Sequence, residues 1–506
     1  MNKITFLLLL LILYTGMLVA QDGAYDTSFG DNGIVLTDLG GYKSGALDIT
    51  QQTDGKLLVT AYMYESDDYN LYLLRYLSNG SLDSSFGDNG KVIVSTTESF
   101  GNIASYVQNN NKILISIQNN DPYFVKRYTS SGELDTSFAN NGTLNPVIPE
   151  QYSGRLQVLD DGNLIVIGGF VSNSNTSSIA VQKYLPNGTI DTSFGTNGVA
   201  EVEIPYIQEN PIVSRRFKIY NDGSILILGS RTSDTQATTQ LIFIKILPDG
   251  SLDGSFGTNG TFFYDIATPD GGSVNTVFDI DENGKIIVAG SIGSCLRGIN
   301  PFLKRFLPTG PIDTTFGDNG SANPPENWFY SNPFQLKIQG NNRILIGWNS
   351  HRCDPQNLSF FISRVYENGT IDSSFSLEEN TIGLQPNSSG SFILQDNGKI
   401  VTSGTTSVPF VNDNGEVYIG RHVNDPLGIP EENITPITVF PNPSNGIFNL
   451  KSQQPINSPY TVSDINGRIL LKSTFEGSEN QLELSSFSTG VYFLKVSGST
   501  IKLLKQ

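Results

Sequence analysis

The chain has 506 residues, of which 49 are Asp or Glu and 31 are Lys or Arg, so its formal net charge is −18. This acidic balance argues against a nucleic-acid partner, because binding to phosphates needs clustered Lys and Arg, and the sequence contains no basic run. The 38% hydrophobic content is sufficient for folded cores and excludes global disorder. A content of 51 Gly and 24 Pro favours short strands and many turns over helices.

Residues 1–20 form a separate segment. Lys3 precedes an apolar run from Phe6 to Leu13, and small or apolar residues continue to Ala20. This pattern is typical of a secretory signal peptide, and the run is shorter than the ~20 apolar residues that a membrane-spanning helix requires. We therefore predict export with cleavage after Ala20, and we expect no transmembrane helix.

The next 400 or so residues repeat one pattern seven times. A turn followed by an apolar run, such as TDGKLLV, and an apolar strand ending in a cation, such as LYLLRY, recur in every unit. A third phrase, DxSFGxNG, places a phenylalanine every 52 to 62 residues, at Phe29, Phe86, Phe138, Phe194, Phe256, Phe316 and Phe375. Because Asn-Gly and Asp-Gly between apolar runs are strong hairpin signals, each unit predicts four short strands.

Such sheets must pack against one another, because one isolated four-stranded sheet cannot hide both of its faces. Radial packing gives a propeller, whose edges are short and protected. The size and number of the units favour a seven-bladed β-propeller of four-stranded antiparallel blades over residues 21–424, with an open array as the alternative. The predicted fold class is all-β.

The charged residues of the repeat predict how the ring closes. In six units a strand cation is followed eight residues later by an aspartate, as in Arg75 and Asp83. The seventh cation, Arg421, has no such aspartate after it, and Asp26 has no such cation before it. We therefore predict that Asp26 and Phe29 dock on the blade that carries Arg421. Since the pair recurs in every unit, a structural role is favoured over a ring of ligand sites.

The phrases DxSFGxNG and DGK(I/L)(I/L)V resemble the delta-60 repeat, which forms propellers in exported bacterial proteins, over roughly residues 24 to 424. The resemblance implies a fold and no reaction. We predict neither a metal site nor a cofactor. The segment most similar to a calcium loop, Asp279, Asp281 and Asn283, has Gly290 where a bidentate Glu is needed.

A different pattern begins after the polar linker 425–433. Residues 434–506 read as about seven short strands separated by turns, which predicts a small immunoglobulin-like β-sandwich. An adhesive or carbohydrate-binding sandwich is one interpretation. The order of motifs also resembles the C-terminal sorting domain (type A) of type IX secretion, through Pro441, Asn442, Pro443, Gly446, Asp464, Gly467, Arg468, Gly490, Val491, Tyr492 and a final strand ending at Lys505.

That second resemblance implies a partner and a location. The partner is the type IX secretion machinery, and the route leads through the periplasm of a Gram-negative bacterium to the outer cell surface or the medium. Whether the exported protein stays attached to the cell is left open.

No catalytic residue is assigned. The two histidines, His351 and His422, stand in different units, so neither a histidine metal centre nor a Ser-His-Asp triad is indicated. Cys295 and Cys353 occupy equivalent positions in neighbouring units, which predicts a disulfide in an exported protein.

Variable loops on one face of the propeller are the expected binding surface, because binding residues concentrate on loops of rigid scaffolds. Unit six supplies an aromatic patch that could hold a glycan or peptide, although packing of the same loops onto the blade is an equal alternative. The patch consists of Trp328, Phe329, Tyr330, Trp348, His351 and Arg352. We expect a monomeric, non-catalytic binding module; the alternative is a carbohydrate-active hydrolase or lyase that uses carboxylates in the central channel.

Overall fold

The computed structural model describes most of the chain as strand and turn. The residues described are 22–41, 43–97, 99, 101, 103–118, 123–146, 155–173, 176–205, 213–232, 238–267, 273–294, 298–322, 331–350, 359–375, 377–378, 390–406, 415–424, 437–464, 468–496 and 499–506. Within these ranges there is no helix, and therefore none that could cross a membrane. The chain divides into two compact units, Met1–Pro426 and Leu427–Gln506.

The described part of the first unit is built from antiparallel strands. In chain order these are β1 (Ile34–Thr37), β2 (Lys43–Gln51), β3 (Leu57–Glu65), β4 (Asp68–Tyr76), β5 (Lys91–Thr97), β6 (Ile103–Val107), β7 (Ile113–Ile117), β8 (Phe124–Tyr128), β9 (Thr143–Leu144), β10 (Arg155–Val158), β11 (Leu164–Asn173), β12 (Thr176–Tyr184), β13 (Val199–Pro205), β14 (Val213–Ile219), β15 (Ile225–Thr232), β16 (Thr238–Ile246), β17 (Thr261–Ala267), β18 (Ser273–Ile280), β19 (Ile286–Ser294), β20 (Gly298–Phe306), β21 (Ser321–Ala322), β22 (Ser331–Ile338), β23 (Ile344–Ser350), β24 (Ser359–Val365), β25 (Leu377–Glu378), β26 (Ser391–Leu394), β27 (Ile400–Thr405) and β28 (Val417–His422).

In the described residues these strands form seven four-stranded sheets. Six sheets take four consecutive strands, from β2–β5 (blade 1) to β22–β25 (blade 6), and the last combines β26, β27 and β28 with β1 (blade 7). The first strand of each sequence unit therefore lies at the outer edge of the preceding blade. This offset differs from the predicted grouping of four strands within one unit, and it makes β1 the outer strand of the last blade.

The innermost strands of the blades surround a common axis. They contact one another in sequence, from β2 through β6 and β10, then through β14, β18, β22 and β26, and back to β2. Between β10 and β14 the link includes a hydrogen bond of 2.8 Å, which Gln157 Nε2 donates to the Phe217 carbonyl. The all-β propeller fold expected from the repeat is thus present.

The repeated phenylalanine is the buried centre of each link between blades. Phe29 and Phe86 have no exposed surface, and the guanidinium carbon of Arg75 lies 4.3 Å from the Phe86 ring centroid. Gly80 in the neighbouring turn has φ +94°, and a Cβ there would lie 3.1 Å from the Phe29 ring. Glycine is therefore required at this position both by backbone conformation and by space.

The strand cation and the link aspartate connect adjacent blades. In blade 1, Arg75 Nε lies 2.8 Å from Asp83 Oδ2, and the same guanidinium donates to the Ser130 carbonyl in blade 2. Lys56 of the Asp-Gly turn adds a longer contact to Asp83 at 3.8 Å. Because an arginine has several donors in a fixed fork, it can bind the carboxylate and the next blade together.

Blades 3 and 4 depart from this arrangement. Their strand cations are lysines, Lys183 at 3.4 Å from Asp191 and Lys245 at 3.1 Å from Asp253. A lysine has one ammonium group instead of a planar fork, so it makes the ion pair without the second set of directed N–H groups that Arg75 uses on blade 2.

The carboxylates of this network have lowered pKa values. Burial by itself would raise the pKa of Asp135, but hydrogen bonds from Lys112 and Ser137 outweigh burial and hold it well below the ordinary 3.8. The pKa values of Asp26 and Asp313 are shifted in the same direction. Groups shifted downward stabilise the folded state above the unfolded pKa and lose this contribution as the pH falls through the folded pKa.

We therefore expect the free energy of unfolding to stay level from about pH 7 to pH 5 and to fall steeply below about pH 3.5. Urea unfolding followed by circular dichroism at each pH measures this. Asp135→Asn should be less stable than the unsubstituted protein at neutral pH and should lose less on acidification. Parallel declines in both proteins would contradict the assignment.

The described strands of the C-terminal unit are β29 (Ile437–Phe440), β30 (Ile447–Asp464), β31 (Ile469–Glu483), β32 (Gly490–Val496) and β33 (Ser499–Lys505). They form one five-stranded sheet of order β29-β30-β32-β33, with β31 also paired to β30. The prediction of about seven short strands differs from these five, because β30 continues through a register shift between Lys451 and Ile456. Residues 452–455 thus belong to one long strand with an irregularity in its pairing.

Candidate functional site

A cavity of about 230 Å³ lies among the inner strands of blades 2 to 6. The charged and polar residues that line it come from four of these blades, and they include Tyr106, Arg155, Gln157, Arg216, Lys218 and Lys337. Because these strands surround the axis of the propeller, we call this space the axial cavity. It is the candidate functional site that geometry adds to the sequence predictions.

The inner strands present these side chains through simple alternation. On β10, Leu156 is buried in the core between blades, whereas its neighbours Arg155 and Gln157 are only half-buried and reach the cavity. On β14, Phe217 is buried in the same way between Arg216 and Lys218. Successive side chains of a strand point to opposite faces, so one side chain packs in the core while the side chains before and after it line the cavity.

Positive charge predominates in the axial cavity. Lys218 Nζ lies 2.9 Å from Asp279 Oδ1, and Arg216 Nε donates to the Thr276 carbonyl at 2.8 Å. Arg155 and Lys337 make no hydrogen bond or ion pair to any residue that the structure describes. The cavity therefore holds four cations, of which one is neutralised, inside a protein whose overall charge is negative.

The pKa values show that these cations act on one another. The charge of Lys218, followed by burial, lowers the pKa of Lys337. Burial, with a further contribution from Arg155, lowers the pKa of Arg216 to about 9. Like charges disfavour each other when they are held close together in a poorly solvated site. An anion bound among them would relieve this repulsion.

Asp48 on β2 lies near the cavity and joins three blades. It accepts hydrogen bonds from Ser105 N at 2.9 Å and from Ser391 Oγ at 2.9 Å. Burial outweighs these bonds and raises the pKa of Asp48, and burial with the Asp48 charge raises the pKa of Tyr106 to about 12. Asp48 is thus a carboxyl group that holds its proton more readily than an exposed one.

A second cavity, of about 330 Å³, lies where β2 and β26 end, at the turns that contain Asp54-Gly55 and Asn397-Gly398. Its lining includes Thr50, Gln52 and Leu394, and it shares Lys337 with the axial cavity. We call it the outer cavity. Both cavities are lined by residues of the inner strands and of the turns that follow them.

The predicted ring-closing residues lie together. Asp26 Oδ2 is 2.7 Å from Arg421 Nε and 2.6 Å from Lys399 Nζ. Phe29 is buried, and the Arg421 guanidinium carbon lies 4.5 Å from its ring centroid. Strand β1 pairs with β28 over four residues, from Ile34 opposite Gly420 onward. The start of the repeat thus supplies the link and outer strand of blade 7.

The predicted aromatic patch is described at one position only. Trp348 lies in β23 with 0% of its surface exposed, its Nε1 donates to Ser363 Oγ at 2.9 Å, and its ring stacks with Phe361. This is a core position rather than a loop position, because the strand places the indole between blades 5 and 6. The other members, Trp328, Phe329, Tyr330, His351 and Arg352, lie outside the described residues, as do Cys295 and Cys353 of the predicted disulfide.

The other residues weighed for chemistry have structural partners. His422 is buried, with Nδ1 3.1 Å from the Gly23 carbonyl and Nε2 3.3 Å from Thr402 Oγ1. Asp281 Oδ1 accepts hydrogen bonds from the backbone N–H groups of Asn283 and Lys285, and so caps its turn. Among the residues described, no group of His, Cys, Asp and Glu could hold a metal ion.

Several predicted sorting residues hold the C-terminal sheet together. Asn442 clamps the last strand, because its Nδ2 donates to the Lys502 carbonyl at 2.7 Å and its Oδ1 accepts from Leu504 N at 2.8 Å. Lys505 Nζ donates to the Ser485 carbonyl at 3.0 Å. Gly446 has φ 121° and accepts a hydrogen bond at its carbonyl.

Most of the remaining sorting positions are also described by the structure. Arg468 Nε lies 3.1 Å from Asp464, and Tyr492 Oη donates to the Ser488 carbonyl at 2.6 Å. Gly490 begins β32. Pro441 and Pro443 flank the clamping asparagine, while Gly467 lies outside the described residues.

The axial cations were not predicted from the sequence. Arg155 and Arg216 stand seven residues before the turn glycines Gly162 and Gly223, and Lys218 stands five before Gly223. A comparison of repeats at fixed distance from the turn would have shown charge at these positions. That comparison would not have shown that the charged side chains of only some repeats line one cavity.

Comparison with solved structures finds matches of low similarity. The chain is similar to a subtype N10 neuraminidase-like protein of A/little yellow-shouldered bat/Guatemala, with 12% identity, a TM-score of 0.34 and coverage of 78% of this chain and 99% of that chain. It is also similar to the α-L-arabinofuranosidase of Fusarium graminearum, with 10% identity, a TM-score of 0.34 and coverage of 79% and 96%. A third is the acylaminoacyl peptidase of Pyrococcus horikoshii, with 10% identity, a TM-score of 0.38 and coverage of 82% and 58%. Likeness at this level carries no argument about function, and no curated protein sequence matched the chain.

Two family models match the sequence. The beta-propeller Domain of unknown function (DUF5122) matches residues 52–86, 159–194, 221–256 and 282–316. The Secretion system C-terminal sorting domain matches residues 438–506. Both resemblances drawn from the sequence are confirmed. The chain therefore carries repeats of this β-propeller family followed by a type IX sorting domain, which makes it secretion cargo destined for the cell surface or the exterior.

Proposed function

We propose that this secreted propeller is a binding module that holds an anionic ligand in its axial cavity. The observation that carries the proposal is the presence of Arg155 and Lys337, both without a partner among the described residues, beside Arg216 and Lys218 in one cavity. Cations held close together in a poorly solvated site repel one another, and a bound anion would compensate them.

The chemistry of the cluster suits an oxyanion such as a carboxylate, sulfate or phosphate. A guanidinium presents parallel N–H donors that match two oxygens at once, and no described residue accepts a hydrogen bond from Arg155. Arg216 uses Nε on the Thr276 carbonyl and retains its terminal N–H groups. Lys337 adds a point charge from the opposite side of the axis, on blade 6.

The test is anion binding by the full chain, measured by calorimetry with glucuronate, sulfate and phosphate as separate probes. We expect the Arg155→Ala/Arg216→Ala double variant to lose at least tenfold in affinity, since a charge-assisted hydrogen bond contributes about 1.5–3 kcal/mol. The matched control, Lys304→Ala/Lys451→Ala, removes two cations outside the cavity and should bind as the unsubstituted protein does. Equal loss in both double variants, or no binding by any protein, would contradict the proposal.

A second candidate is the hydrolase or lyase that uses channel carboxylates. The observation that favours it is the presence of two carboxyl groups on inner strands, since Asp48 on β2 has a raised pKa and Asp279 on β18 forms an ion pair with Lys218. Such a pair could divide the roles of acid and base. Turnover in a hydrolase and lyase screen that is lost in Asp48→Asn would establish catalysis, and binding without turnover would favour the binding module.

A further inference from the structure

The four cations of the axial cavity occupy two positions along the inner strands. Arg155 and Arg216 stand seven residues before the turn residue of their blades, and Lys218 and Lys337 stand five residues before it. The turn residues are Gly162, Gly223 and Asn342, with φ of 83°, 83° and 59°. From the seventh position to the turn, each of these inner strands pairs with its neighbour without a register shift. Residues at the same distance from the turn therefore lie at the same height along the axis.

These positions define two layers of positive charge. We call Arg155 and Arg216 the guanidinium layer, and Lys218 and Lys337, which are nearer the turns, the ammonium layer. A strand rises about 3.3 Å per residue, so a shift of two positions separates the layers by about 7 Å. Because both layers line the same cavity, one occupant can contact both.

Each layer has more positive than negative charge among the described residues. At the position of the guanidinium layer, blade 1 carries Asp48, whose hydrogen bonds come from serine residues of the neighbouring blades and not from an arginine. In the ammonium layer, Asp279 pairs with Lys218 at 2.9 Å and leaves Lys337 without a described anion. An occupant with a single anionic group would compensate one layer and leave the other in excess.

The repulsion between these cations acts within each layer. Burial, and then the charge of Arg155, lowers the pKa of Arg216 to about 9. The charge of Lys218, and then burial, lowers the pKa of Lys337. Since like charges disfavour each other in a poorly solvated site, each layer by itself favours a bound counter-ion. These two pairs are the same pairs that the strand positions define.

We infer that the ligand of the axial cavity carries two anionic groups about 7 Å apart, one in each layer, as an extended dicarboxylate does. The guanidinium layer binds the first group, because guanidinium groups present paired N–H donors to its oxygens. Lys337 binds the second group as a point charge. This inference rests on the proposed anion-binding function and adds to it the number of charges on the ligand and their spacing.

The test compares adipate, hexanoate and malonate in calorimetric titrations of the full chain. Adipate has two carboxylates at the ends of an extended chain, hexanoate has the same length with a single carboxylate, and malonate has two carboxylates on a single carbon. We expect adipate to bind about tenfold more tightly than either of the others, because only adipate makes a charge-assisted contact in both layers.

Lys337→Met tests the second contact. This variant removes the ammonium charge and keeps an unbranched side chain, so we expect the preference for adipate over hexanoate to fall from about tenfold to about onefold. Arg155→Ala should weaken the binding of both probes. The matched control Lys304→Met removes a lysine that donates to Ser321 Oγ and does not line the axial cavity, and it should keep the full preference for adipate.

The outcomes separate this inference from the proposed function. If adipate binds no more tightly than hexanoate or malonate, or if its preference persists in Lys337→Met, the inference is overturned. The proposed function stands in that case if hexanoate, glucuronate, sulfate or phosphate binds and loses affinity in Arg155→Ala/Arg216→Ala. If none of these anions binds, both fail.

Discussion

Replacing Asp26 with Ala is expected to lower the free energy of unfolding of the propeller by about 3–5 kcal/mol, because it leaves a buried cation without its partner. Asp26 Oδ2 lies 2.7 Å from Arg421 and 2.6 Å from Lys399, and the carboxylate is almost completely buried. Its loss also removes the acceptor that orders Ser28 ahead of Phe29. The link that joins the start of the repeat to blade 7 is thereby weakened at its centre.

Urea unfolding followed by circular dichroism measures this effect. The control is Glu479→Ala, which breaks a pair with Lys451 whose side chains are 69% and 56% exposed. Exposed pairs contribute about 0–1 kcal/mol, so this variant should unfold almost as the unsubstituted protein does. A decrease of less than about 1 kcal/mol in Asp26→Ala would show that the closing contact is not an essential part of the fold.

Replacing Trp348 with Ala is expected to cost about 3–5 kcal/mol of stability, the usual range for removal of a large aromatic core residue. The indole has no exposed surface, packs in the core between blades 5 and 6, and donates to Ser363 Oγ. The alanine would leave a void beside Phe361 and an unpaired hydroxyl. A direct role of Trp348 in a surface patch predicts the opposite result, a stable protein with altered ligand binding.

Trp348→Phe separates the loss of apolar packing from the loss of the hydrogen bond. It keeps most of the apolar ring but loses the N–H donor, so we expect an intermediate loss of about 1–3 kcal/mol. Thermal unfolding of both variants, with calorimetric binding of glucuronate as a second readout, tests the assignment. Wild-type stability in Trp348→Ala would refute a core role for this residue.

The aromatic cluster illustrates why a local pattern can mislead. Trp348, His351 and Arg352 stand close together in the sequence and suggested a binding loop. In the structure β23 extends to Ser350 and pairs Trp348 with Phe361 on β24, so the strand turns this indole inward. The length of a strand depends on its partner strand as well as on its own residues, and the sequence of one strand does not contain that information.

The fold of the repeat was open to prediction because its signals are local and repeated. Turn glycines such as Gly80, phenylalanines such as Phe86 and pairs such as Arg75 with Asp83 lie within a dozen residues of one another. Each of these local patterns predicts a hairpin or a link between blades, and distant parts of the chain are not needed to recognise it. The sorting motifs were recognisable for the same reason, because short phrases carry them in a defined order.

The sequence alone determined an all-β repeat protein with a type IX sorting domain, since short-range turn, strand and ion-pair patterns are sufficient for both. Only the tertiary structure decided that each unit gives its first strand to the preceding blade and that Arg155, Arg216 and Lys337 line one cavity. Arg155 and Lys337 are 182 residues apart in the chain. Convergence of inner strands at an axis, rather than any local preference, places their charges together, and that requires every intervening blade to be folded.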